Sequence, residues 1–424
     1  MTEQSPIWRR CGAWTGGTVG AVAISPNFTQ DGVVLAATAA GLYHSTDGGR
    51  HWTICQTGLS DPRITTVAFA PASPASAPMA TPLAFAATAD ARLFQTQNSG
   101  AIWQEVTAWA GLGLINAIAV SPNFLVDKTL FVATAEGVFR TQDGGHTWES
   151  STFGLLDLEI LCLACASNFA ESELLWAGSA LGGLYRSRNA ARSWRESGQG
   201  LPDTAIQCIA VSPNFVQDQT LYVGTESDGI YDSTDGGATW QPLSSHLTGQ
   251  PINCLAISPD GQTLLAGAEH GVYGSVDGGR RWTLTTDGAF PALAVAIAPD
   301  GTALAGAYQE GAFRRAADGG GWQPASSGLT AHTPPVVLRD QEDSLYLLDI
   351  DGALVMSCDA GNTWQLCNHA LAEEPVLAVA MATGDAGSLL YAVTASALYC
   401  TQTPVTATAW RSQPCRRLIL FRPC

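Results

Sequence analysis

Acidic residues recur along this sequence at one kind of position, just before the glycine, or its equivalent, that opens a short apolar segment. They are Asp90, Glu136, Asp228, Glu310 and Asp351, with Glu226 and Glu269 beside two of the same positions. Carboxylates repeated in this way have two chemical uses. A pair at a defined separation across a cleft can hydrolyse a glycosidic bond as general acid and base. A ring of carboxylates can instead attract the basic or polar surface of a partner.

Other residue types that could carry chemistry are scattered. The seven histidines form no His-x-x-x-His pair, and the Gly-Gly pairs open no helix after a strand, so neither a zinc site nor a phosphate loop is indicated. Cys162 and Cys165 have the spacing of a metal or redox pair, but residues three apart in a strand point to opposite faces. We therefore predict no metal, no cofactor and no catalytic residue.

The elements that position these residues repeat along the chain. Nine tryptophans fall at intervals of 40 to 51 residues, and each closes a version of the phrase Ser/Thr-x-Asp-x-Gly-x-x-Trp. Clear copies end at Trp52, Trp148, Trp240 and Trp282, and weaker ones at Trp103, Trp194, Trp322, Trp364 and Trp410. A period of this length indicates one structural unit repeated. The tryptophans and aspartates of the phrase are therefore assigned to the fold rather than to a site.

Each repeat predicts four short antiparallel strands, which we call A to D. In the repeat that contains Trp240 they are expected at residues 206–212, 220–225, 229–233 and 239–243, separated by Gly, Pro, Asn and Asp. Four strands in about 45 residues describe one blade of a β-propeller. The predicted fold class is therefore all-β, with about nine four-stranded antiparallel blades and the repeated phrase at the turn between strands C and D.

We expect a single domain over residues 1–424, with the nine repeats in 15–415. Segments 1–14 and 416–424 are expected to be extra or closing strands, because strands from both termini complete a blade in many propellers and remove an open sheet edge. Nine blades exceed the usual four to eight. An alternative therefore places one degenerate repeat, 335–373 or 376–415, outside the ring.

From residue 42 to about 410 the sequence resembles the Asp-box, or bacterial neuraminidase repeat, propellers. We call each copy of the phrase an Asp box; two copies carry Asn98 and Asn189 in place of the aspartate. Families built on this repeat include sialidases, xyloglucan-degrading glycosidases, the sortilin-type receptor domain and photosystem II assembly-factor-like propellers. Fold alone does not choose among their functions.

Two features argue against the enzymes of this group. A resemblance to sialidases implies arginines that clamp a carboxylate, yet the arginines here lie mainly in strand C and in the boxes: Arg140, Arg186, Arg188, Arg280, Arg281, Arg314 and Arg315. A polysaccharide cleft also uses exposed aromatic platforms, and outside the boxes and Trp8 only Trp14, Trp109 and Trp176 remain. We therefore predict that the protein is not an enzyme.

The faces of a propeller locate the candidate site. The A–B and C–D turns lie on one face, which the Asp boxes mark, and the B–C and D–A turns lie on the opposite one. Loops on a rigid scaffold commonly carry the binding residues. The predicted partner-binding residues are Asp90, Glu136, Asp228, Glu269, Glu310 and Asp351. The plainer interpretation is that turns favour polar residues in an acidic chain.

Composition limits the partners. A net charge of −17 disfavours nucleic acid and anionic membranes, because both need a cationic face. The N-terminus does not look like a signal peptide and no run of about 18 apolar residues exists. A cytoplasmic location with reduced cysteines is therefore expected. We predict a scaffold for protein–protein interaction or complex assembly; the alternatives are a glycoside hydrolase or sugar-binding propeller, and a photosystem-assembly-type chaperone.

Overall fold

The structure is a computed structural model. It describes residues 17–71, 82–109, 113–243, 247–286, 290–329, 336–340, 344–348, 354–359, 363–367, 376, 378–384, 387–394, 397–402 and 411–413. The contacts group the chain into two compact units, and one of them is Thr15–Leu329. That all 424 residues behave as one domain stays a prediction. The segments 1–14 and 416–424, predicted as closing strands, lie outside the described residues.

The unit Thr15–Leu329 contains seven four-stranded antiparallel sheets, each with its strands paired in chain order. We call them blades 1 to 7. Blade 1 contains β1 (Val19–Ile24), β2 (Val34–Thr38), β3 (Gly41–Ser45) and β4 (Thr53–Ile54); blade 2, β5 (Ile64–Phe69), β6 (Ala84–Thr88), β7 (Leu93–Thr96) and β8 (Gln104–Glu105); blade 3, β9 (Ile115–Val120), β10 (Leu130–Thr134), β11 (Gly137–Thr141) and β12 (Glu149–Ser150); blade 4, β13 (Ile160–Cys165), β14 (Leu175–Ser179), β15 (Leu184–Ser187) and β16 (Arg195–Glu196). Blade 5 contains β17 (Ile206–Val211), β18 (Leu221–Thr225), β19 (Ile230–Ser233) and β20 (Gln241–Pro242); blade 6, β21 (Ile252–Ile257), β22 (Leu264–Ala268), β23 (Gly271–Ser275) and β24 (Thr283–Leu284); blade 7, β25 (Ala292–Ile297), β26 (Ala303–Ala307), β27 (Gly311–Arg315) and β28 (Gln323–Pro324).

These seven blades close on themselves. Strand A of each blade packs against strand A of the next, and β25 of blade 7 packs against β1 of blade 1. At this seam the Trp52 indole Nε1 donates a hydrogen bond to the carbonyl of Ala325 at 2.7 Å, and the Trp52 backbone N–H donates to Ser327 at 2.8 Å. The first and last blades therefore cover each other's sheet faces, and each sheet is completed by strands of its own repeat.

The second unit contains two further four-stranded antiparallel sheets in its described residues. They are β29 (Val336–Arg339), β30 (Leu345–Leu348), β31 (Leu354–Ser357) and β32 (Gln365–Leu366), and β33 (Ala378–Gly384), β34 (Gly387–Val393), β35 (Leu398–Gln402) and β36 (Arg411–Gln413). Tyr346, Leu354 and Leu390 belong to one buried cluster of this unit. The predicted all-β fold of nine four-stranded blades is confirmed. The two degenerate repeats singled out in the sequence form these last two sheets.

The Asp box is a hydrogen-bonded turn. In blade 1 the Ser45 hydroxyl donates to Asp47 Oδ1 at 2.7 Å and accepts the N–H of Gly49 at 2.9 Å. Asp47 Oδ1 also accepts the backbone N–H groups of Arg50 and His51, at 2.9 and 3.0 Å. The donors therefore lie three and four residues after the aspartate. Gly48 and Gly49 have φ of 73° and 83°, which only glycine adopts without strain.

The box tryptophans join neighbouring blades. The indole Nε1 donates to a carbonyl of the preceding blade in three further copies: Trp103 to Cys55, Trp194 to Ser151 and Trp240 to Ser197, at 2.7 to 2.8 Å. Six described box tryptophans are buried, and Trp148 and Trp364 are half-buried. Trp410 lies outside the described residues. Burial of the indole explains why the phrase ends on this residue, and in these four copies its N–H is also paired, whereas the Nε1 atoms of Trp148 and Trp282 have no hydrogen-bond partner among the described residues.

Four of the A–B connections contain a one-turn helix, three of them at the end of the phrase Ser-Pro-Asn-Phe and one at the end of Ala-Ser-Asn-Phe. The helices are α1 (Phe28–Asp31), α2 (Phe124–Asp127), α3 (Phe169–Ser172) and α4 (Phe215–Asp218), and blade 2 adds a 3₁₀ turn at Thr107–Trp109. Each helix begins at a buried phenylalanine. Lys128 follows α2 directly; it is exposed and has a φ of 53°. Its backbone carbonyl accepts a hydrogen bond from the Gly144 N–H of the Asp box. The A–B turns therefore lie on the box face.

One position of strand A holds a cysteine in blades 4, 5 and 6 and an alanine in blades 1 and 3, and the residue that faces it on strand B differs accordingly. Cys162, Cys208 and Cys254 pair with Gly178, Gly224 and Gly267, whereas Ala21 and Ala117 pair with Ala37 and Ala133. A Cβ on Gly178 would lie 2.7 Å from Cys162 Sγ and 2.6 Å from Ile206 Cγ2 of the next blade. Glycine at position 178 therefore leaves room for both the thiol and the isoleucine of the next blade in a close-packed interface. The size of the strand-A residue is not the only factor, because Ala294 also faces a glycine, Gly306, and Thr66 faces Ala87.

Candidate functional site

The structure places five of the six predicted partner-binding residues in turns between strands B and C. Asp90, Glu136, Asp228, Glu269 and Glu310 occupy five different blades of the ring, and all are exposed except Asp228, which is half-buried. Asp351 lies outside the described residues. We call the surface formed by the B–C turns and the D–A loops the B–C face.

In blades 3 and 5 a threonine at the end of strand B fixes the backbone of the turn, whereas strand B of blades 6 and 7 ends on alanine. Thr134 Oγ1 accepts the N–H of Glu136 at 3.0 Å and donates to the carbonyl of Gly137 at 3.1 Å. In blade 5, Thr225 Oγ1 makes the same two bonds with Asp228 and Gly229, both at 2.9 Å. Because the threonine satisfies the turn, the acidic side chain is not needed to hold it.

The D–A loops contact these turns, as the predicted arrangement of faces requires. Ser60 of a D–A loop donates from Oγ to Asp90 Oδ2 at 2.9 Å, and Arg92 Nε lies 3.3 Å from the same carboxylate. Within the described ranges, no ion pair involves Glu136, Glu269 or Glu310. Asp228 has no ion pair there either, so four of the five carboxylates have no salt bridge from the described chain and the B–C face is acidic.

Two leucines protrude from the B–C face near blade 4. Leu156 in the D–A loop is 77% exposed and Leu181 in the B–C turn is 76% exposed. Their loops are tied together, because Asp157 Oδ2 accepts the N–H of Leu181 at 2.9 Å and Tyr185 Oη accepts the N–H of Asp157 at 3.1 Å. Leu114 and Leu158 add exposed apolar surface in the same kind of loop. Large exposed apolar side chains grouped together indicate an interaction site.

Carboxylates surround these leucines. Glu159 donates its N–H to Asp157 Oδ1 at 3.1 Å and accepts from Ala180 N–H, beside Leu181. A Cβ on Gly182 would lie 2.8 Å from Asp203 Oδ1, and one on Gly113 would lie 3.9 Å from the carboxyl carbon of Glu136. We call Leu114, Leu156, Leu158 and Leu181, with Glu136, Asp157, Glu159 and Asp203, the leucine–carboxylate sector.

Sequence analysis found Glu136 but missed the rest of this sector. It examined one position in each B–C turn, and the leucines lie mainly in D–A loops. The segment 153–158, Phe-Gly-Leu-Leu-Asp-Leu, is unusually apolar for a loop. That composition was the available signal, but an apolar run beside Ile160 resembles the beginning of strand A.

A second part of the B–C face combines carboxylates with an aromatic ring. Tyr308 and Glu310 lie in the B–C turn of blade 7, and Tyr308 is 42% exposed. The Tyr308 N–H donates to the carbonyl of Pro291 at 2.9 Å, which fixes the turn against the start of strand A. Glu269 and His270 are exposed in the B–C turn of the adjacent blade 6. We call these four residues the tyrosine–carboxylate sector.

The tryptophans considered as sugar platforms are core residues. Trp109 and Trp176 are both fully buried. Trp109 packs edge-to-face on Trp148, with ring centroids 4.9 Å apart, and Trp176 packs edge-to-face on Phe215 at 5.2 Å. Trp14 lies outside the described residues. Neither described tryptophan presents a face on which a sugar could stack.

The two cysteines of the Cys-x-x-Cys pair are separated by the sheet. Cys162 belongs to the buried cluster with Ile206, whereas Cys165 packs against a different cluster that contains Ile160. Burial raises the pKa of the Cys162 thiol to about 12. Across the described part of the chain, no group of three or more His, Cys, Asp or Glu residues is arranged to hold a metal ion. The helices described there include none long and apolar enough to cross a membrane.

Comparisons with known proteins give a class of fold. No family model matches the chain, and no curated protein sequence matches it. Solved structures that are similar include a GH74 enzyme from Niastella koreensis (16% identity, 95% of this chain and 73% of that chain, TM-score 0.64) and the GH74 xyloglucanase from Xanthomonas campestris (18%, 96% and 82%, TM-score 0.64). YCF48 bound to D1 peptide is also similar (16%, 71% and 93%, TM-score 0.54). At these identities the likeness concerns the fold, and the chain is a β-propeller protein; membership of the Asp-box family stays a prediction.

The comparisons correct one prediction. The sequence led us to predict that the protein is not an enzyme, because no arginine cluster or aromatic cleft was recognised. GH74 enzymes are among the proteins most similar to it in structure, at 16–19% identity. The prediction of a non-enzyme is therefore wrong as an inference from this fold, which glycoside hydrolases share.

Proposed function

We propose that the protein binds a partner through the B–C face of its seven-bladed ring, and that the partner is a protein segment both basic and apolar. The leucine–carboxylate sector carries this proposal. Leu156 and Leu181 expose about three-quarters of their surface beside Asp157, and no salt bridge from the described chain neutralises Glu136. Apolar anchors with acidic neighbours complement a segment that alternates leucine-like and lysine-like side chains.

The fold is compatible with this kind of ligand. YCF48, a structurally similar protein, has been solved bound to a D1 peptide. Four other predicted partner-binding residues lie in B–C turns of the same ring, Asp90, Asp228, Glu269 and Glu310, and would extend the negative potential of the face. Charge of this kind mainly accelerates encounter and selects the partner, while buried apolar side chains supply affinity.

Fluorescence anisotropy with a labelled peptide of alternating leucine and lysine tests the proposal. Leu156→Ser with Leu181→Ser should weaken binding at all salt concentrations. Glu136→Gln with Glu159→Gln should weaken it mainly at low salt, since screening already removes charge attraction at high salt. Val276→Ser is the matched control, because Val276 is 78% exposed but lies in an Asp box. Equal binding by wild type and the leucine variant would refute the proposal.

The similarity to GH74 enzymes favours a second candidate, binding or hydrolysis of a polysaccharide such as xyloglucan. In this chain the tyrosine–carboxylate sector suits it best. An exposed tyrosine can stack on a sugar ring, and Glu269 and Glu310 on adjacent blades offer two carboxylates for acid–base chemistry. The two candidates use different residues of the same face, so variants separate them.

Release of reducing ends from xyloglucan tests this candidate. If the protein is a hydrolase, wild type releases them and both Glu269→Gln and Glu310→Gln abolish the release, while Leu156→Ser leaves it unchanged. If the protein only binds the polysaccharide, Tyr308→Ala should weaken binding with no reducing ends from any variant. If the wild-type protein neither binds xyloglucan nor releases reducing ends from it, xyloglucan is excluded as the ligand.

A further inference from the structure

A cavity of about 340 Å³ lies beside the Asp box of blade 4, and its lining is basic. The lining residues are Arg186, Arg188, Asn189, Ser193 and Arg195. Arg186 belongs to strand C, Arg195 faces it from strand D, and the other three belong to the box. We call this cavity the arginine pocket. It opens near the C–D turn, on the box side of the ring, and shares no residue with the B–C face.

The equivalent position in blade 3 shows what is different. There the cavity is about 120 Å³, and its lining includes Arg140, Asp143 and Glu149 at the positions of Arg186, Asn189 and Arg195. Arg140 Nη2 lies 2.6 Å from Glu149 Oε2, so its charge is paired. The lining of the blade 3 cavity thus combines one cation with two carboxylates, whereas the lining of the arginine pocket has three cations and no carboxylate.

The arginines of the pocket form no salt bridge with the described protein. None of its ion pairs involves Arg186, Arg188 or Arg195, and Asp235 of blade 5 attracts Arg186 without forming one. In blade 6 the box arginine Arg281 lies 2.9 Å from its own box carboxylate, Asp277. In blade 4 the matching positions hold Asn189 and Ser193, so this box contributes no carboxylate to the pocket. Three arginines without a salt bridge are an unusual local excess of positive charge in a chain of net charge −17.

The pocket is held in place by hydrogen bonds. Arg186 Nη1 donates to the carbonyl of Gly236 in blade 5 at 2.8 Å. Asn189 Nδ2 donates to Ser193 Oγ at 2.8 Å, and Asn189 Oδ1 accepts the Ser193 N–H at 3.0 Å. Burial, followed by the nearby Arg188, lowers the pKa of Arg186, whereas Asp235 of blade 5 raises it. Asp235 is engaged by donors of its own box, including Thr239 Oγ1 at 2.6 Å.

We propose that the arginine pocket binds a phosphate-like oxyanion, either free or as the phosphate group of a small phosphomonoester. Guanidinium groups donate pairs of parallel hydrogen bonds to such oxygens. Three of them match a dianion better than a singly charged carboxylate. The volume lies within the range of about 300–1,000 Å³ that small-molecule sites occupy. The ligand class is therefore set by charge and size together.

Isothermal titration calorimetry of the full chain tests the proposal. The ligands are inorganic phosphate, sulfate, glucose 6-phosphate and acetate, and chloride at equal ionic strength is the control. We expect saturable binding of phosphate and sulfate and weaker binding of acetate. Tighter binding of glucose 6-phosphate than of phosphate identifies an ester as the ligand; equal binding identifies the free ion.

The decisive variant converts the pocket to the composition of blade 3. Asn189→Asp with Arg195→Glu introduces the carboxylates that blade 3 already accommodates, so the fold should be retained, which circular dichroism checks. We expect phosphate affinity to fall at least about tenfold, since charged hydrogen bonds are lost and repulsion is added. Arg281→Gln removes an arginine of another box and should leave affinity unchanged. Absence of saturable phosphate binding by wild type, or equal binding by the double variant, overturns the proposal.

Discussion

Arg314 Nε donates a hydrogen bond to the carbonyl of Gly48 at 2.9 Å, joining residues 266 positions apart in the chain. Arg314 lies in strand C of blade 7 and Gly48 in the Asp box of blade 1. Arg140 makes the same contact with Ala190, at 2.9 Å, and Arg186 with Gly236, at 2.8 Å. A hydrogen bond from a strand-C arginine to the box of the next blade therefore recurs at these three interfaces between blades, and the one made by Arg314 lies where the ring closes.

Removing the hydrogen bond between Arg314 and Gly48 should destabilise the ring. Arg314→Met keeps much of the side-chain length but leaves the Gly48 carbonyl without its donor. We expect a loss of about 1–3 kcal/mol in the free energy of unfolding, measured by urea denaturation, since a buried acceptor loses its partner. Arg280→Gln, at an exposed box position, is the control and should change stability by less than about 0.5 kcal/mol. Equal stability of Arg314→Met and wild type would mean that the contact does not support ring closure.

The match between Cys162 and Gly178 predicts a non-additive pair of substitutions. Gly178→Ala alone should destabilise by about 1–3 kcal/mol, because the new methyl group overlaps Cys162 Sγ. Adding Cys162→Ala recreates the Ala–Ala pair of blade 3, Ala117 and Ala133, and should recover part of the loss. A double-mutant cycle by thermal unfolding measures the coupling. Additive effects would show that strand B shifts to absorb the methyl group instead.

Thiol reactivity should follow burial. Burial raises the pKa of Cys55, Cys162, Cys254 and Cys367 to about 12, so these thiols carry almost no thiolate at pH 8. Titration with a thiol reagent should label few cysteines in the native protein and close to all eleven in denaturant. Exposed Cys358 should react early, so Cys358→Ser should remove a fast phase. A denatured count well below eleven without reductant would reveal disulfides.

The box aspartates predict a loss of stability in acid. Hydrogen bonds from the side chain and backbone of Arg281 lower the pKa of Asp277 to about 2. Burial alone would raise the pKa of Asp235, but hydrogen bonds from Thr239 and its neighbours lower it to about 2. A folded pKa below the unfolded value of about 3.9 means that these groups stabilise the fold above pH 4, and that this is lost as pH falls toward 2.

Urea midpoints between pH 2 and 6 measure this effect. We expect the midpoint to fall steadily below pH 4. Asp277→Asn should lower the midpoint at pH 6 and reduce its dependence on pH, because the amide cannot be protonated in that range. A wild-type midpoint that is constant from pH 6 to 2 would contradict the prediction.

The sequence predicted each blade well because the information is local. The Ser233 hydroxyl, the Asp235 carboxylate and the glycines that follow form one turn within a few residues, so their spacing reveals it. The number of blades that meet in a ring is not local. No residue near Arg314 in the sequence indicates that it contacts Gly48 where the ring closes. Arg186 makes the same kind of contact between two blades that follow each other in the chain.

The candidate site was predicted in part for the same reason. Glu136 occupies a repeat-equivalent position and could be found by aligning the repeats. Asp157 recurs as Asp61 and Asp203 in the phrase Gly-Leu-x-Asp of the D–A loops, but Leu156 stands where those loops have Ser60 and Pro202. Its exposure beside Leu181 is visible only in the structure. The arginine pocket was also visible only in the structure. Arg186 and Arg195 lie on different strands, and the structure shows that they face each other. Only then does it become clear that Asn189 beside them leaves the pocket without a carboxylate.

Lys128 is the only lysine of the chain, and it is exposed beside α2 on the box face. Amine-reactive chemistry thus has one side-chain target, on the side opposite Glu136 and Leu181. A fluorophore or a solid support attached there would report on the protein from its reverse side. Every molecule attached through Lys128 would present the B–C face to the solution in the same orientation.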